Sequence, residues 1–169
     1  MKKIQVFSIV LVIVLAFTSV AYAQKTDTTF RAMLTGGEEV PPRLTKASGS
    51  ATFTLSQDGT ALAFTVNVAN IRNVFASHIH CGAFGVNGPV GVTLFMGMPG
   101  SGPAKSVLAS GTITAPDAGN ACGWMTLDDV VAAIESGNTY VNVHTNDGVD
   151  PPNTGPGDFP GGEIRGQLH

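Results

Sequence analysis

Short runs in which apolar and polar residues alternate, separated by glycine and proline, most limit how this chain can fold. The first three runs lie near residues 30–34, 50–55 and 62–68, and Asp58-Gly59 between the last two is typical of a hairpin turn. Because the side chains of a strand point to alternate faces, each run predicts a strand with one buried face. Similar patterns predict five further strands, near Val74–His80, Val90–Phe95, Val107–Ile113, Thr139–Thr145 and Glu163–Leu168.

Eight short strands joined by turns predict an all-β fold, either an antiparallel β-sandwich or a barrel. One short helix is predicted at about residues 126–136. Thr126 is a suitable N-cap, apolar residues at i, i+3, i+4 and i+7 from Leu127 form a stripe, and Gly137 suits the end of the helix. We expect this stripe to pack against the core rather than to bind a partner.

The first 23 residues have the order of a secretory signal peptide: a basic start, the apolar run Ile4–Phe17, and a small-residue site ending at Ala23. An uncleaved membrane anchor is the alternative, but the apolar run is short for a membrane span. Removing these 23 of the 169 residues leaves 146, enough for one domain at 24–169. The removal includes Lys2 and Lys3, so the formal net charge falls from −3 to −5.

This charge balance argues against several classes of function. An acidic chain without a basic cluster is a poor nucleic-acid binder, because phosphate contacts need clustered lysine and arginine. No second apolar span follows the leader, so we expect no membrane span after cleavage, and a periplasmic or secreted protein. The sequence has no G-x-S-x-G, H-E-x-x-H or phosphate-loop motif, which argues against the corresponding hydrolases and nucleotide enzymes.

Cys81 and Cys122 are the two cysteines of the sequence. An exported chain meets an oxidising compartment, so we expect them to form a disulfide bond. Closing a loop of about 40 residues stabilises a fold by roughly 4 kcal/mol in the chain-entropy model. Two free buried thiols are the alternative, and a Cys81 thiolate beside His80 would suit a copper site of the electron-transfer type.

Three of the four histidines have the spacing of a metal site. His78 and His80 are two residues apart on one predicted strand, so both point to the same face, roughly 6.5 Å apart along the chain. His144 lies near the end of another predicted strand, in which Val141 and Val143 face the core and His144 faces away. If the two strands are neighbours, three imidazoles surround one point, and imidazole suits copper and zinc.

Exposed or merely hydrogen-bonded histidines remain the alternative, because an H-x-H pair also occurs by chance on surface strands. His169 is a possible additional ligand, although chain termini usually fray. Asn142, Asp147 and Arg165 are candidates to contact the ligands from outside the coordination sphere. For Arg165 the alternative is a surface residue of a strand or the ion-pair partner of an acid in a loop.

Two long segments, Gly97–Pro103 and Asn146–Gly162, have the composition of loops. Loops of this length are often functional or simply mobile. The second contains Asp147, Asp150 and Asp158, whose spacing is not that of a calcium loop, so we expect solvated acids.

Four sequence blocks, in order, resemble the CHRD domain, a family named after chordin. The blocks span about residues 30–168, and they are Gly36–Pro42 with the pattern G-x-x-E-V-P-P, His78-Ile79-His80 followed by Gly88-Pro89-Val90, Tyr140–Thr145, and Gly161–Leu168. The resemblance implies a secreted or periplasmic β-sandwich that forms a single domain over residues 24–169.

The CHRD domain is in turn remotely similar to copper/zinc superoxide dismutase, a Greek-key sandwich with an H-x-H pair on one strand and a later histidine on another. This resemblance implies an antiparallel Greek-key order, and it matches His78, His80 and His144 with the copper-side ligands. No histidine lies between His80 and His144, so the bridging ligand and the zinc half have no counterpart. A net charge near −5 gives no overall attraction for superoxide, which leaves only local steering by Arg165.

We therefore expect an exported CHRD-domain protein that binds one metal ion, copper ahead of zinc, and that is not an enzyme. Dismutase-like redox activity is a lesser alternative. The other hypothesis is a non-catalytic interaction module of the cell envelope or extracellular space, with one of the two long loops contacting a protein partner.

Overall fold

The computed structural model describes residues 28–149, 151 and 155–169. The predicted leader and Asp150 lie outside the described residues. No helix in the described part of the chain is long and apolar enough to cross a membrane. The described ranges contain eight strands and one α-helix: β1 (Thr28–Thr35), β2 (Ser48–Leu55), β3 (Leu62–Arg72), β4 (Val74–Cys81), β5 (Val90–Met96), β6 (Pro103–Ile113), α1 (Leu127–Glu135), β7 (Thr139–Thr145) and β8 (Ile164–Gln167).

All eight strands belong to one antiparallel sheet in the order β5-β4-β7-β8-β1-β2-β3-β6. The two end strands, β5 and β6, approach each other, so the sheet is nearly closed into a barrel. Strand β7 returns beside β4 after β5 and β6, which is a Greek-key connection. The predicted all-β antiparallel fold with about eight strands and one short helix is confirmed, and its packed faces are opposite walls of one curled sheet.

Burial along the first strands follows the alternation that predicted them. In β1, Phe30, Ala32 and Leu34 are buried and the residues between them are exposed. Phe53 of β2 and Leu62 of β3 extend the same core and are fully buried. Each such side chain contributes about 1.5–3 kcal/mol through removal of apolar surface from water.

The helix α1 begins as the sequence predicts. The Thr126 hydroxyl accepts a hydrogen bond from the Asp129 backbone N–H, and the Asp129 carboxylate accepts one from the Thr126 N–H, which forms a capping box. The apolar stripe is buried, so its predicted packing role is confirmed. Its members are Leu127, Val130, Val131 and Ile134.

Strand β7 departs from the simple alternation, because all seven of its residues are buried. Val141 and Val143 point into the barrel core. Tyr140, Asn142 and His144 point to the outer face, yet they are only 1%, 3% and 7% exposed. Loops from other parts of the chain cover this outer face. Between the loops and the sheet lies a buried layer of polar side chains, called the polar interior below, which includes Tyr140, Asn142 and His144.

The predicted disulfide bond between Cys81 and Cys122 is present. It joins the end of β4 to the segment that precedes α1, across a sequence separation of 41 residues. Because both sulfurs are used in this bond, Cys81 is not a thiolate ligand for a metal. The bond also anchors the chain directly after His80.

Candidate metal centre

The strands that carry the three histidines are hydrogen-bonded neighbours. In the antiparallel register of β4 and β7, His78 lies opposite Asn142, and His144 lies opposite Ala76. One ring nitrogen from each of His78, His80 and His144 can be chosen so that all three lie within 4.8 Å of one another. The ring centroids are 5.0 Å apart for His78 and His144, and 5.6 Å apart for the other two pairs. The structure therefore brings together the three residues that the sequence singled out.

Backbone carbonyls of the covering loops orient two of the rings. His80 Nδ1 lies 2.9 Å from the Gly88 carbonyl oxygen, and His144 Nδ1 lies 3.0 Å from that of Pro160. A carbonyl only accepts, so each Nδ1 carries the proton and each Nε2 keeps a free lone pair. These contacts are the kind that fix the tautomer and orientation of a metal-binding histidine.

Of the four other ring nitrogens, three are buried and have no hydrogen-bond partner among the described residues. They are His78 Nδ1, His80 Nε2 and His144 Nε2. A buried polar atom without a partner costs about 1–3 kcal/mol, and here three such atoms belong to one cluster. Two nitrogens bound to one ion at about 2 Å lie no more than about 4 Å apart, so a small closure of the rings suffices for ligation. The three histidines could therefore hold one metal ion.

Burial keeps the three imidazoles neutral. Desolvation is the largest effect on each, and it lowers the pKa of His80 to about 4 and that of His144 to about 3. The pKa of His78 is also lowered by desolvation, while the nearby charge of Asp117 acts in the opposite direction. Neutral imidazole is the form that binds a metal ion, so the cluster is prepared for ligation at neutral pH.

Arg165 and Tyr140 support His80 from the side away from β5. The Tyr140 ring stacks on the His80 ring at 4.9 Å, and the Arg165 guanidinium lies 3.5 Å from the centre of the Tyr140 ring. The Tyr140 hydroxyl donates to the Gly88 carbonyl and accepts from the Gly88 N–H. The Gly88 carbonyl oxygen therefore accepts hydrogen bonds from both the Tyr140 hydroxyl and His80 Nδ1, and these bonds hold the His80 ring against the loop that covers it.

Arg165 is 1% exposed, so the alternative that it is a surface residue of its strand is wrong. Its guanidinium donates to the Asn87 side chain and to the backbone carbonyls of Ala83 and Val86. Arg165 is buried because of its position on β8. It pairs with Asn142 of β7, and the loop that follows β4 covers its side chain. A charge enclosed in this way anchors the loop and is not presented to an anion in solution.

Glu39 is a buried acid beside Asn142. The Asn142 amide donates to the Glu39 carboxylate at 3.4 Å, and Glu39 is 4% exposed. Desolvation raises the pKa of Glu39 to about 7, although Arg165 and the Asn142 hydrogen bond act in the opposite direction. Gly162, with a φ of +124°, packs so closely that a Cβ there would lie 2.7 Å or less from both side chains. Asn142, which pairs with His78 in the register of β4 and β7, thus contacts a carboxyl whose pKa is raised to about 7.

Glu163 ties the covering loops together. Its carboxylate accepts hydrogen bonds from the Thr45 hydroxyl at 2.6 Å, from the Thr145 hydroxyl at 2.7 Å and from the Gly157 N–H at 2.8 Å. The residue is 1% exposed. Thr145 directly follows His144, and Gly157 belongs to the loop that contains the Pro160 carbonyl. Glu163 therefore holds the segments on both sides of the His144 ring.

Acidification from pH 7 to pH 5 is expected to destabilise the metal-free protein. Unfolded histidines bind protons below about pH 6.5, whereas His80 and His144 stay neutral in the folded state down to about pH 4 and about pH 3. Stability present above pH 6.5 is therefore lost as the pH falls. The raised pKa of Glu39 acts with the opposite sign, since the folded state takes up that proton first. Three histidines outweigh one carboxyl, so we expect a net loss on the order of 1 kcal/mol.

Denaturant unfolding at several pH values measures this dependence. The double variant His80→Gln/His144→Gln should show a flat or reversed dependence, because Glu39 then opposes His78 alone. An unchanged dependence in that variant would contradict the assignment to these two residues.

The other predicted residues lie elsewhere. His169 is exposed, and its backbone pairs with Arg31 of β1, so the structure does not bring it to the cluster. Asp147 is also exposed, and its carboxylate accepts a hydrogen bond from the Val149 N–H within its own loop. Asp158 is 5% exposed, so the expectation that it is a solvated acid is wrong. Of the candidates outside the coordination sphere, Asn142 and Arg165 lie in the polar interior and Asp147 does not.

Sequence reasoning missed the residues that enclose the cluster. Tyr140 shares the parity of His144 on β7, so its place on the same face was available from alternation. Glu39 and Glu163 lie in two of the blocks that resemble the CHRD domain, but acids in turns do not by themselves indicate burial. The sequence could not indicate that the carbonyls of Gly88 and Pro160 contact the histidines, because every residue has a backbone carbonyl.

The family model of the CHRD domain matches residues 30–152. That range includes His78, His80 and His144, together with both cysteines. No curated protein and no solved structure matches the chain significantly. Because the family match spans well over half of the sequence, this chain belongs to the CHRD domain family.

Proposed function

We propose that this chain is an exported CHRD-domain protein that binds one metal ion through His78, His80 and His144. The observation that carries the proposal is that three histidines of one cluster each have a buried ring nitrogen without a hydrogen-bond partner in the described part of the chain. Two of the rings are oriented by backbone carbonyls, as ligands of a built site are. His78 is half-buried, so the cluster stays partly open to solvent at this residue.

Copper is the favoured ion and zinc the alternative. A set of neutral nitrogen donors binds Cu(II) more tightly than Zn(II) in the usual affinity order of divalent metals. The match of the three histidines with the copper-side ligands of copper/zinc superoxide dismutase supports the same choice. Bound copper would supply one-electron redox chemistry, and the three histidines would hold it with a position left open.

Binding, buffering or delivery of copper fits the site better than dismutase-like turnover. A dismutase gains from a positive charge that attracts superoxide, and the charge of Arg165 is enclosed beneath a loop. The formal charge of the chain after loss of the predicted leader, −5, favours the approach of cations instead.

A non-catalytic interaction module is the second candidate. Membership of the CHRD family and the disulfide bond fit an extracellular or envelope module. In that case one of the two long loops, 97–103 or 146–162, contacts a protein partner, and the histidines only hold the covering loops in place. Exchange of a loop would then abolish partner binding, while changes to the histidines would not.

Copper titration of the purified exported protein tests the proposal. We expect one Cu(II) per chain, with electron paramagnetic resonance showing coupling to imidazole nitrogens, and competition by Zn(II) at the same site. His78→Ala should remove this signal, and the matched control His169→Ala should keep it. Equal binding by the parent and the His78→Ala variant would reject the metal site and favour the interaction module.

A further inference from the structure

Two methionines are exposed beside the histidine cluster. Met96, at the end of β5, is 67% exposed, and Met98, in the loop that follows, is 77% exposed. The thioether of methionine is a soft donor that selects Cu(I), in contrast to imidazole, which binds several divalent ions. Met33 and Met125 are also exposed, so what distinguishes Met96 and Met98 is that a single glycine separates them and that they lie beside the histidine strands.

The strand register places Met96 in line with His144. Met96 pairs with Ala76 of β4, and Ala76 pairs with His144 of β7. Directly paired residues of antiparallel strands project from the same face, so the three side chains form one row. Neighbouring strands lie about 4.8 Å apart, which puts the Cα atoms of Met96 and His144 about 10 Å apart. Ala76, in the middle of the row, has no side chain beyond Cβ, and the Phe75 ring packs beside the His144 ring with centroids 6.1 Å apart.

Two backbone hydrogen bonds, one on each side of Met98, hold its loop against the segments that bear the histidines. The Gly97 N–H donates to the Phe75 carbonyl on β4, and the Gly100 N–H donates to the carbonyl of Asn146, two residues after His144. Met98 lies between these two bonds. The backbone bearing both thioethers is therefore held against the strands that bear the histidines.

The cluster is open on this same side. His78 is the least buried of the three histidines, and it pairs with Thr93 of β5. Thr93 and Met96 are the exposed residues of β5, so they border the approach to His78. The exposed thioether of Met96 therefore lies at the end of the same strand that borders His78.

We propose that Met96 and Met98 form a thioether site that captures Cu(I) and lies next to the histidine site. This inference rests on the proposed function, since it takes the ion of the histidine site to be copper. It adds the oxidation state in which copper arrives and the side chains that receive it. No change of oxidation state is needed for capture, because the thioethers bind the ion as Cu(I).

Competition with a Cu(I)-specific chelator, in ascorbate without oxygen, tests this proposal on the purified exported protein. The test variant is Met96→Leu/Met98→Leu, which keeps apolar side chains of similar volume. The matched control is Met33→Leu, because Met33 is 72% exposed on β1, separated from β4 by β7 and β8. A thiol assay confirms that the disulfide bond stays intact.

We expect the double variant to bind Cu(I) at least about 10-fold more weakly, the lower end of what loss of a supporting group costs a metal site. Its affinity for Cu(II) should stay that of the parent, and X-ray absorption of the Cu(I) form should lose its sulfur scattering. Unchanged Cu(I) affinity, or a parent without sulfur scattering, would overturn the thioether site while Cu(II) binding still supports the histidine site. A parent that binds neither oxidation state would overturn the proposed function as well.

Discussion

His144→Gln is expected to weaken Cu(II) binding by about 100-fold or more. Changes to groups that only support a ligand cost about 10–100-fold in metal affinity, and this change removes a ligand nitrogen itself. Glutamine is close in size to histidine, and its amide can still donate to the Pro160 carbonyl, so the covering loop keeps a contact there. The buried lone pair of Nε2 has no counterpart in the variant.

Competition titration with a chelator of known affinity measures the effect. His169→Gln is the matched control, because His169 is exposed and lies outside the cluster, and it should leave the affinity unchanged. Circular dichroism of both variants verifies that the fold is retained. A His144→Gln variant that binds copper as tightly as His169→Gln would show that the ion is held elsewhere.

Glu163→Gln should lower the free energy of unfolding by about 3 kcal/mol, since hydrogen bonds to a charged group contribute about 1.5–3 kcal/mol each. The carboxylate accepts from two hydroxyls and one backbone N–H, and glutamine offers only one accepting oxygen. If the NH₂ group takes the place of the oxygen that accepts from Gly157, two donors face each other and the Gly157 N–H loses its acceptor. The same change should weaken copper binding, because the loop containing the Pro160 carbonyl is no longer held.

Denaturant unfolding of the metal-free protein measures this loss. The matched control is Glu135→Gln, at the exposed end of α1, which should change stability by no more than about 0.5 kcal/mol. Equal stability of the two variants would mean that the three contacts of Glu163 do not hold the loops.

The strands and the helix followed from the sequence because their signals are local. Apolar alternation reports which face of a strand is buried, and a cap with an apolar stripe reports one helix. The predicted strand at 139–145 and the predicted turn at Asp58-Gly59 agree with β7 and with the β2–β3 connection. The parity of His78, His80 and His144 on their strands was predicted correctly for the same reason.

The sequence alone could not predict which of those strands meet. Pairing of β4 with β7 brings together segments about 60 residues apart, and alternation within a strand carries no information about its neighbour. The burial of Arg165, Glu39 and Asp158 was likewise hidden, since charged residues are ordinarily exposed. Their enclosure depends on loops that arrive from distant parts of the chain.

The sequence by itself determined an all-β chain, a disulfide pair, and three histidines that project from the outer faces of two strands. Only the tertiary structure decided that these strands are adjacent and that loops cover their outer faces. That covering desolvates the imidazoles and supplies the Gly88 and Pro160 carbonyls to their Nδ1 atoms. The physical reason is that desolvation and long-range pairing depend on the whole packed chain, whereas strand patterns depend on neighbouring residues alone.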